Sequence, residues 1–477
     1  MTGQLRRDVL ALPGLRALVR WRYARLLLQL PLLALALLAV YDGFSGSQLA
    51  GLNVATVSVW VQYRGLLALS LLLVGNVFCA ACPLLLTRGP SRVLKRLLPQ
   101  RTWPRFLRNK YLTLALTLLF LYSYEAFALW ASPWLTAWLI VSYFAAALLT
   151  DSVFPAGTFC RYVCPLGNFN FALSSVSPTL IQAKDLSICA SCTSKACLHG
   201  RTIPQEHLAA TPHDFSTLPA LPLNGQSGTV TLPGCETRLY VPTMTSTQDC
   251  TLCLNCVRAC PEDNVGLMLR SPLAEAVQTR PRTDLALLLV LLTWAGLVNA
   301  FAMTPPYFLL ARWLATTLGT HNEPVLLALI LLSTLATGLG LTLLAARLSG
   351  LTLRTLAPLL MPLALAVWGG HALYHFAGGA GTLWPAVQAA LLRLGLPLGP
   401  AALPVIARAD TSFWLQATLL ELALAGTLWA ILQRFQHTRP GASARRLVPP
   451  AALALLLFGL ALWLFAQPMQ ARVGLLT

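Results

Sequence analysis

Cysteine is the residue type in this 477-residue chain best suited to chemistry, and eight of its twelve copies crowd between Cys189 and Cys260. Most of them fall in groups with gaps of two to four residues, spacing that lets several thiolates converge on one inorganic core. Such use of thiolates implies a reducing compartment, because oxidation to disulfides would remove the ligands. A short secreted chain with this many cysteines would point to a disulfide framework instead.

The most specific stretch is Cys250-Thr-Leu-Cys253-Leu-Asn-Cys256-Val-Arg-Ala-Cys260-Pro261. Its C-x2-C-x2-C-x3-C-P spacing is that of bacterial ferredoxins, in which three cysteines grip one [4Fe–4S] cluster and the fourth reaches across to a second. Structural zinc is the competing occupant, but zinc generally uses two C-x2-C pairs set well apart. The earlier group, Cys189-Ala-Ser-Cys192-Thr-Ser-Lys-Ala-Cys197, has a wider third gap and no following proline. The ferredoxin crossover assigns Cys189, Cys192, Cys197 and Cys260 to one cluster. Cys250, Cys253 and Cys256 belong to the other, with Cys235 as fourth ligand by elimination; the alternative is a free Cys235 thiol and a three-cysteine cluster. Residues 198–249 form a Pro-, Thr- and Gly-rich insertion, with a short hairpin expected around Thr229–Tyr240.

The other four cysteines form a repeat: Cys79-Ala-Ala-Cys82-Pro83 ends one apolar run, and Cys160-Arg-Tyr-Val-Cys164-Pro165-Leu-Gly167 follows another. Proline stops each helix and leaves the thiols on an irregular turn near the membrane surface. Cys79, Cys82, Cys160 and Cys164 could hold a third metal centre or cluster, act as redox-active dithiols, or be structural.

With these motifs in this order, residues 20–285 resemble the NapH/NosR-type membrane polyferredoxin family. Cys79 and Cys82 stand two apart where that family usually has three intervening residues, and no flavin-binding extracytoplasmic domain is evident. The resemblance implies quinol-linked electron transfer to or from a partner enzyme.

The elements that must carry these thiols are membranous. Hydrophobic residues make up 56% of the chain and charged ones only 10%, which excludes an ordinary soluble domain. Nine membrane helices are expected, over 25–44, 58–78, 111–131, 134–155, 284–302, 323–346, 355–377, 411–433 and 447–467. Segments 305–320 and 384–400 look interfacial. The basic start followed by Leu26–Val40 has no small-residue cleavage site and reads as an uncleaved first helix. With the N-terminus inside, 29 of the 34 Lys and Arg residues fall on the cytoplasmic side, leaving Arg64, Arg312, Arg393, Arg408 and Arg472 opposite. This bias orients the chain and explains the net charge of +18 without a nucleic-acid partner. The fold class is therefore a polytopic α-helical protein of the inner (cytoplasmic) membrane, with an inserted cytoplasmic α+β ferredoxin-like 2[4Fe–4S] domain. Its parts are a four-helix membrane domain (1–158), the cluster domain (159–283) and a five-helix membrane domain (284–477), with the C-terminus extracytoplasmic.

In the last domain, Trp368-Gly-Gly-His371-Ala-Leu-Tyr374-His375 puts two imidazoles on one helical face. Glu421 lies near the middle of the next expected span. Ionisable groups within a membrane are functional candidates, so His371, His375 and Glu421 could form a quinone site. Haem b, with imidazoles from two helices, and simple packing are the alternatives; His321 is the other imidazole on that side. Glu125 and Asp151 have similar claims, whereas His199, His207, His213 and His437 read as ordinary cytoplasmic residues.

The expected function is electron transfer between quinone, or a membrane or periplasmic redox partner, and cytoplasmic [4Fe–4S] clusters that a cytoplasmic carrier could serve. The chain would be a component of a respiratory oxidoreductase system rather than a stand-alone enzyme. No G-x-G-x-x-G or P-loop is present, so hydride chemistry is not expected. The alternative is a metal-handling, maturation or redox-regulatory membrane protein that uses the Cys-Pro thiols, with copper as cargo. Transport is disfavoured because no matched pair of interrupted helices marks a midplane site.

Overall fold

The structure, a computed structural model, describes residues 7–21, 23–204, 229–278, 281–396, 399, 409–438 and 443–469. Among them, eight helices are long and apolar enough to cross a membrane. They include Ala24–Ser45, Val54–Leu73, Pro133–Val153, Thr283–Phe301 and Glu323–Ser349. A continuous helical stretch over Leu353–Arg393, Thr411–Thr438 and Ala444–Phe465 complete the set. The chain is thus a polytopic helical membrane protein.

The expected third span is the short member. Tyr111–Ala126 has 16 residues, about 24 Å of helix against roughly 30 Å of hydrocarbon. It stops before residue 131 because the chain turns at Ala128, whose φ of 44° is left-handed. The next helix is then started by Ser132, whose hydroxyl accepts from the Leu135 amide at 3.2 Å. The two expected interfacial segments are short helices, Pro305–Leu318 and Leu383–Arg393.

Thr283–Phe301 and Met361–Gly379 are buried along nearly their whole length and form the centre of the bundle. Small residues permit the close approach: a Cβ on Gly338 would strike the Trp294 ring, and one on Gly296 would strike Trp368. Because consecutive spans alternate in direction, the Cys79–Cys82 and Cys160–Cys164 turns end up at the same membrane face.

A small cysteine-rich unit sits on that face. Strand β1 (Thr179–Ala183) pairs antiparallel with β4 (Val265–Leu269), closing the ends of the insertion on each other. Strand β2 (Arg201–Pro204) pairs with β3 (Thr229–Leu232). This corrects the expected local hairpin at Thr229–Tyr240: the partner of Thr229–Leu232 lies upstream of it, across residues outside the described set. Gly200 (φ 82°) permits the close approach, since a Cβ there would strike the Leu232 carbonyl. The N-terminal segment packs onto the unit, with Leu10 joining Ile181, Val257 and Leu267 in one apolar cluster. Asp8 fixes it there by accepting from the amides of Leu10 and Leu267 at 3.0 and 3.1 Å.

Candidate redox centres and the membrane cavity

Three cysteines end a short helix immediately before a proline, and their backbones nearly coincide. Cys82, Cys164 and Cys260 have φ/ψ of −60°/123°, −66°/111° and −66°/118°. Steric clash with the proline ring forces each into extended geometry. The thiol at each helix end therefore leaves its turn in the same local frame.

The other ligand positions depend on an unusual backbone. Six non-glycine residues with positive φ fall in the cysteine-rich unit: Lys195, Arg238, Asp249, Leu252, Leu254 and Asp263. Leu252 (51°) and Leu254 (58°) flank Cys253, and each left-handed residue costs on the order of 1 kcal/mol or more. The strain curls the Cys250–Cys256 loop tightly around its thiols.

The thiols form a series of three overlapping neighbourhoods. Cys189, Cys192 and Cys260 all act electrostatically on Cys197. Asn264 ties two of this group together, donating its side-chain amide to Cys189 Sγ at 3.2 Å and its backbone N–H to Cys260 Sγ at 3.3 Å. Cys253, Cys250 and Cys235 act on Cys256 in the second group. Cys235 Sγ is fixed by the Leu239 amide at 3.2 Å. Cys164 and Cys82 act on Cys160, and Cys79 acts on both Cys82 and Cys164, which makes the third group. The groups also adjoin in order, since Cys197 acts on Cys256 and Cys79 acts on Cys250.

Burial differs along the series. In the first group, Ser194 and the Lys195 amide lower the Cys192 thiol. In the second, burial, aided by Glu236, pushes Cys253 up to about 11. In the third, burial pushes Cys164 to about 12, although the Gly167 amide donates to its sulfur at 3.2 Å. Buried neutral thiols of this kind are poor nucleophiles. Among the described residues, no three His, Cys, Asp or Glu side chains are grouped so as to hold a single metal ion.

Charged residues clamp the middle and inner groups together. Lys110, 2% exposed, donates to Asp249 Oδ1 at 2.5 Å, to Asn168 Oδ1 at 2.6 Å and to the Arg161 carbonyl at 2.7 Å. Burial would raise the Asp249 carboxyl, but Lys110 and Arg161 together hold it below its ordinary value. Glu236 pairs with Arg25 and with Arg88 Nη1 (3.0 Å), and Arg88 also reaches Asp151 at 3.3 Å. Asp151 thus braces a Cys-Pro turn at the interface. None of these pairings is visible in sequence, because each joins residues far apart in the chain.

Beside the third group an apolar cavity of about 90 Å³ enters the bundle, lined by Trp60, Tyr63, Arg64, Tyr124, Phe169 and Trp368, among others. Asn170 donates to Cys79 Sγ at 3.6 Å and also bonds Tyr63, so the cavity wall touches the thiol group. Arg64 closes the cavity's deep end. Its guanidinium donates to Tyr124 Oη at 2.8 Å and Asn299 Oδ1 at 2.9 Å, and Asn299 donates to Glu125 Oε1 at 2.6 Å. Arg64 is therefore an intramembrane group of the Val54–Leu73 span, not a loop charge on the far side. An arginine within an apolar run was the sequence signal for it. A π-helical stretch, Val57–Tyr63, immediately precedes it, a feature frequent at functional sites.

The expected quinone trio does not converge. His371 and His375 meet edge to face at 4.7 Å, but His371 is 1% exposed and neither of its ring nitrogens has a hydrogen-bond partner among the described residues. His375 lines a second, wider cavity of about 380 Å³. Glu421 is exposed on the outer side of its helix; the side chain that reaches the histidine helix is Gln416, donating to the Gly370 carbonyl at 3.1 Å. His321 is exposed at the far end, so the described residues offer no imidazole pair from two spans for haem b. His207 and His213 lie outside the described residues. No family model, curated protein or solved structure matches this chain.

Proposed function

We propose that this chain is an electron conduit between the membrane interior and the cytoplasmic face, with three [4Fe–4S] clusters held in series. Cys189, Cys192, Cys197 and Cys260 would hold the outermost, and Cys235, Cys250, Cys253 and Cys256 the middle one. Cys79, Cys82, Cys160 and Cys164 would hold the innermost. The carrying observation is that the twelve thiols form one connected series of neighbours running to the wall of an apolar cavity, which the three ligand sets above would divide into fours.

The donor set fits. Each group is all thiolate, as iron–sulfur clusters require, and the Cys-Pro turn of Cys260 recurs at Cys82 and Cys164. A cubane binds its cysteines at separate iron corners, so its ligands stand wider apart than those of a single ion. Such a cluster exchanges one electron without gaining or losing a proton. The chain's own residues exclude water around the inner thiols and bring amide and asparagine N–H groups to several sulfurs, which tune potential. The NapH/NosR resemblance is in keeping with this function; the aromatic lining and Arg64 favour a quinone head group, for which the cavity of about 90 Å³ would have to widen.

The test is anaerobic purification with iron, acid-labile sulfide and EPR analysis. About twelve irons per chain are expected for three cubanes and about eight for two. Copper bound at Cys79, Cys82, Cys160 and Cys164 without iron there would favour the metal-handling alternative. A chain without iron and sulfide would end the proposal.

A further inference from the structure

The wider cavity bears on where protons go. It is lined by Ala50, Gly51, Trp130, His375, Gly378 and Thr382, among others. These positions follow the far end of the Ala24–Ser45 span, follow Tyr111–Ala126, or lie toward the end of Met361–Gly379. All are at the membrane face opposite the cysteine-rich unit. The two cavities meet, for Trp60, Arg64 and Tyr124 line both. Beyond that wall the character changes: the inner cavity is almost wholly apolar, while the outer one carries imidazole, hydroxyl and backbone polar groups. Resting on the quinone reading above, we propose that the outer cavity is the proton path of the quinone site, so that protons and electrons leave on opposite faces of the membrane.

The chemistry sets the requirement. Oxidation of a quinol to a quinone breaks two O–H bonds and releases two electrons and two protons. The electrons go to a one-electron acceptor at the thiol face, whichever physiological carrier that is. The protons need a polar exit, and the wall beside the thiols is mostly apolar: Phe169, Leu166, Pro165 and Trp368 line it, with the Tyr63 hydroxyl, held by Asn170, as its polar group. The titratable groups on the other side are Arg64, Tyr124, Tyr374 and His375 at the cavities, Glu125 behind Asn299, and His371 against His375. Arg64 donates to Tyr124 Oη, which leaves the phenol free to donate onward. His375 is the imidazole that lines the outer cavity, and its ring nitrogens can pass a proton along it. Run in reverse, quinone reduction would draw its protons from the same face.

Gly378 supplies a plug. A Cβ built there meets nothing within 4 Å, so Gly378→Leu would fill the outer cavity without touching the thiols or the inner one. The experiment uses the full-length protein in proteoliposomes, with a short-chain ubiquinol and external ferricyanide, which reports only molecules whose thiol face points outward. Impermeant pH dyes follow each side, and protein-free vesicles set the baseline. Acidification of the lumen by about one proton per ferricyanide reduced is expected. In Gly378→Leu that rate should fall at least about tenfold, with the EPR signal of dithionite-reduced protein unchanged. Protons appearing outside while electrons flow would overturn the sidedness and leave the quinone reading intact. Iron–sulfur signals that the quinol cannot reduce would overturn that reading, and this inference with it. The wild-type dye measurement decides the sidedness even if Gly378→Leu fails to fold.

Discussion

The outer and inner thiol groups use the same chemistry in opposite surroundings. Around Cys189, Cys192 and Cys197 the backbone is short helix and turn near solvent, and a hydroxyl and an amide ease the Cys192 thiol toward its anion. Around Cys79, Cys82, Cys160 and Cys164 the sulfurs lie between helix ends, and burial holds the thiols protonated when no cluster is bound. A buried anionic centre costs more than an exposed one, so more of the surrounding protein is committed to it: Arg88, Asn170 and the Gly167 amide all approach the inner sulfurs. On the proposed reading, that difference would let the inner group meet its partner in the membrane and the outer group meet its partner in water.

Removing inner ligands breaks that comparison most directly. Cys160→Ser with Cys164→Ser should lose about four irons per chain and uncouple quinol from the remaining clusters, while dithionite still reduces them. Cys189→Ser with Cys192→Ser should also lose about four irons, but quinol should still reduce what remains. Iron counts with EPR after each reductant check both, and an unchanged iron content in the inner variant would leave that group without a cluster.

Lys110 sharpens the comparison next, because it joins the inner turn to the middle loop. Lys110→Met leaves Asp249 buried with Arg161 as its remaining cation, and breaking a buried pair typically costs about 3–5 kcal/mol. Denaturation in detergent should show that loss. Lys110→Arg is expected to recover part of it, although the wider guanidinium cannot reproduce all three contacts.

Arg64 is the corresponding test in the membrane. Arg64→Met removes the donor to Tyr124 and Asn299 and should slow quinol-driven cluster reduction by about 100-fold, with the iron content unchanged. Stopped-flow bleaching of the cluster absorbance measures it. A rate within a few-fold of wild type would place the quinone elsewhere.

Sequence spacing marks out the candidate ligand loops, because such loops are local. Cys250–Cys260 declares itself within eleven residues, and apolar run length placed the long helices within a few positions. What joins distant segments was not legible. Lys110 and Asp249 lie 139 positions apart and Arg64 and Asn299 235 apart, so no window of sequence pairs them. Depth misled as well: Glu421 was singled out because it is charged and mid-helix, yet a helix has two sides and its apolar pattern was too even to say which faces inward.

That ambiguity yields the smallest expected effect. Ala417 and Leu420 are buried on the inner side of the Glu421 helix, and Gln416 bonds the Gly370 carbonyl from the same side. Glu421 points outward, where a carboxylate facing hydrocarbon would be costly unless covered by another chain. Glu421→Gln retains its shape and removes the charge. Iron content, quinol-driven bleaching and lumenal acidification should therefore all stay within about twofold of wild type, a difference of only about 0.4 kcal/mol in barrier. His375→Phe, one helix away and facing the outer cavity, should retain its iron and lose the acidification. If instead Glu421→Gln stops proton release and His375→Phe does not, the proton path runs along the outer side of that helix, and the cavity that Arg64 and His375 share is not the route.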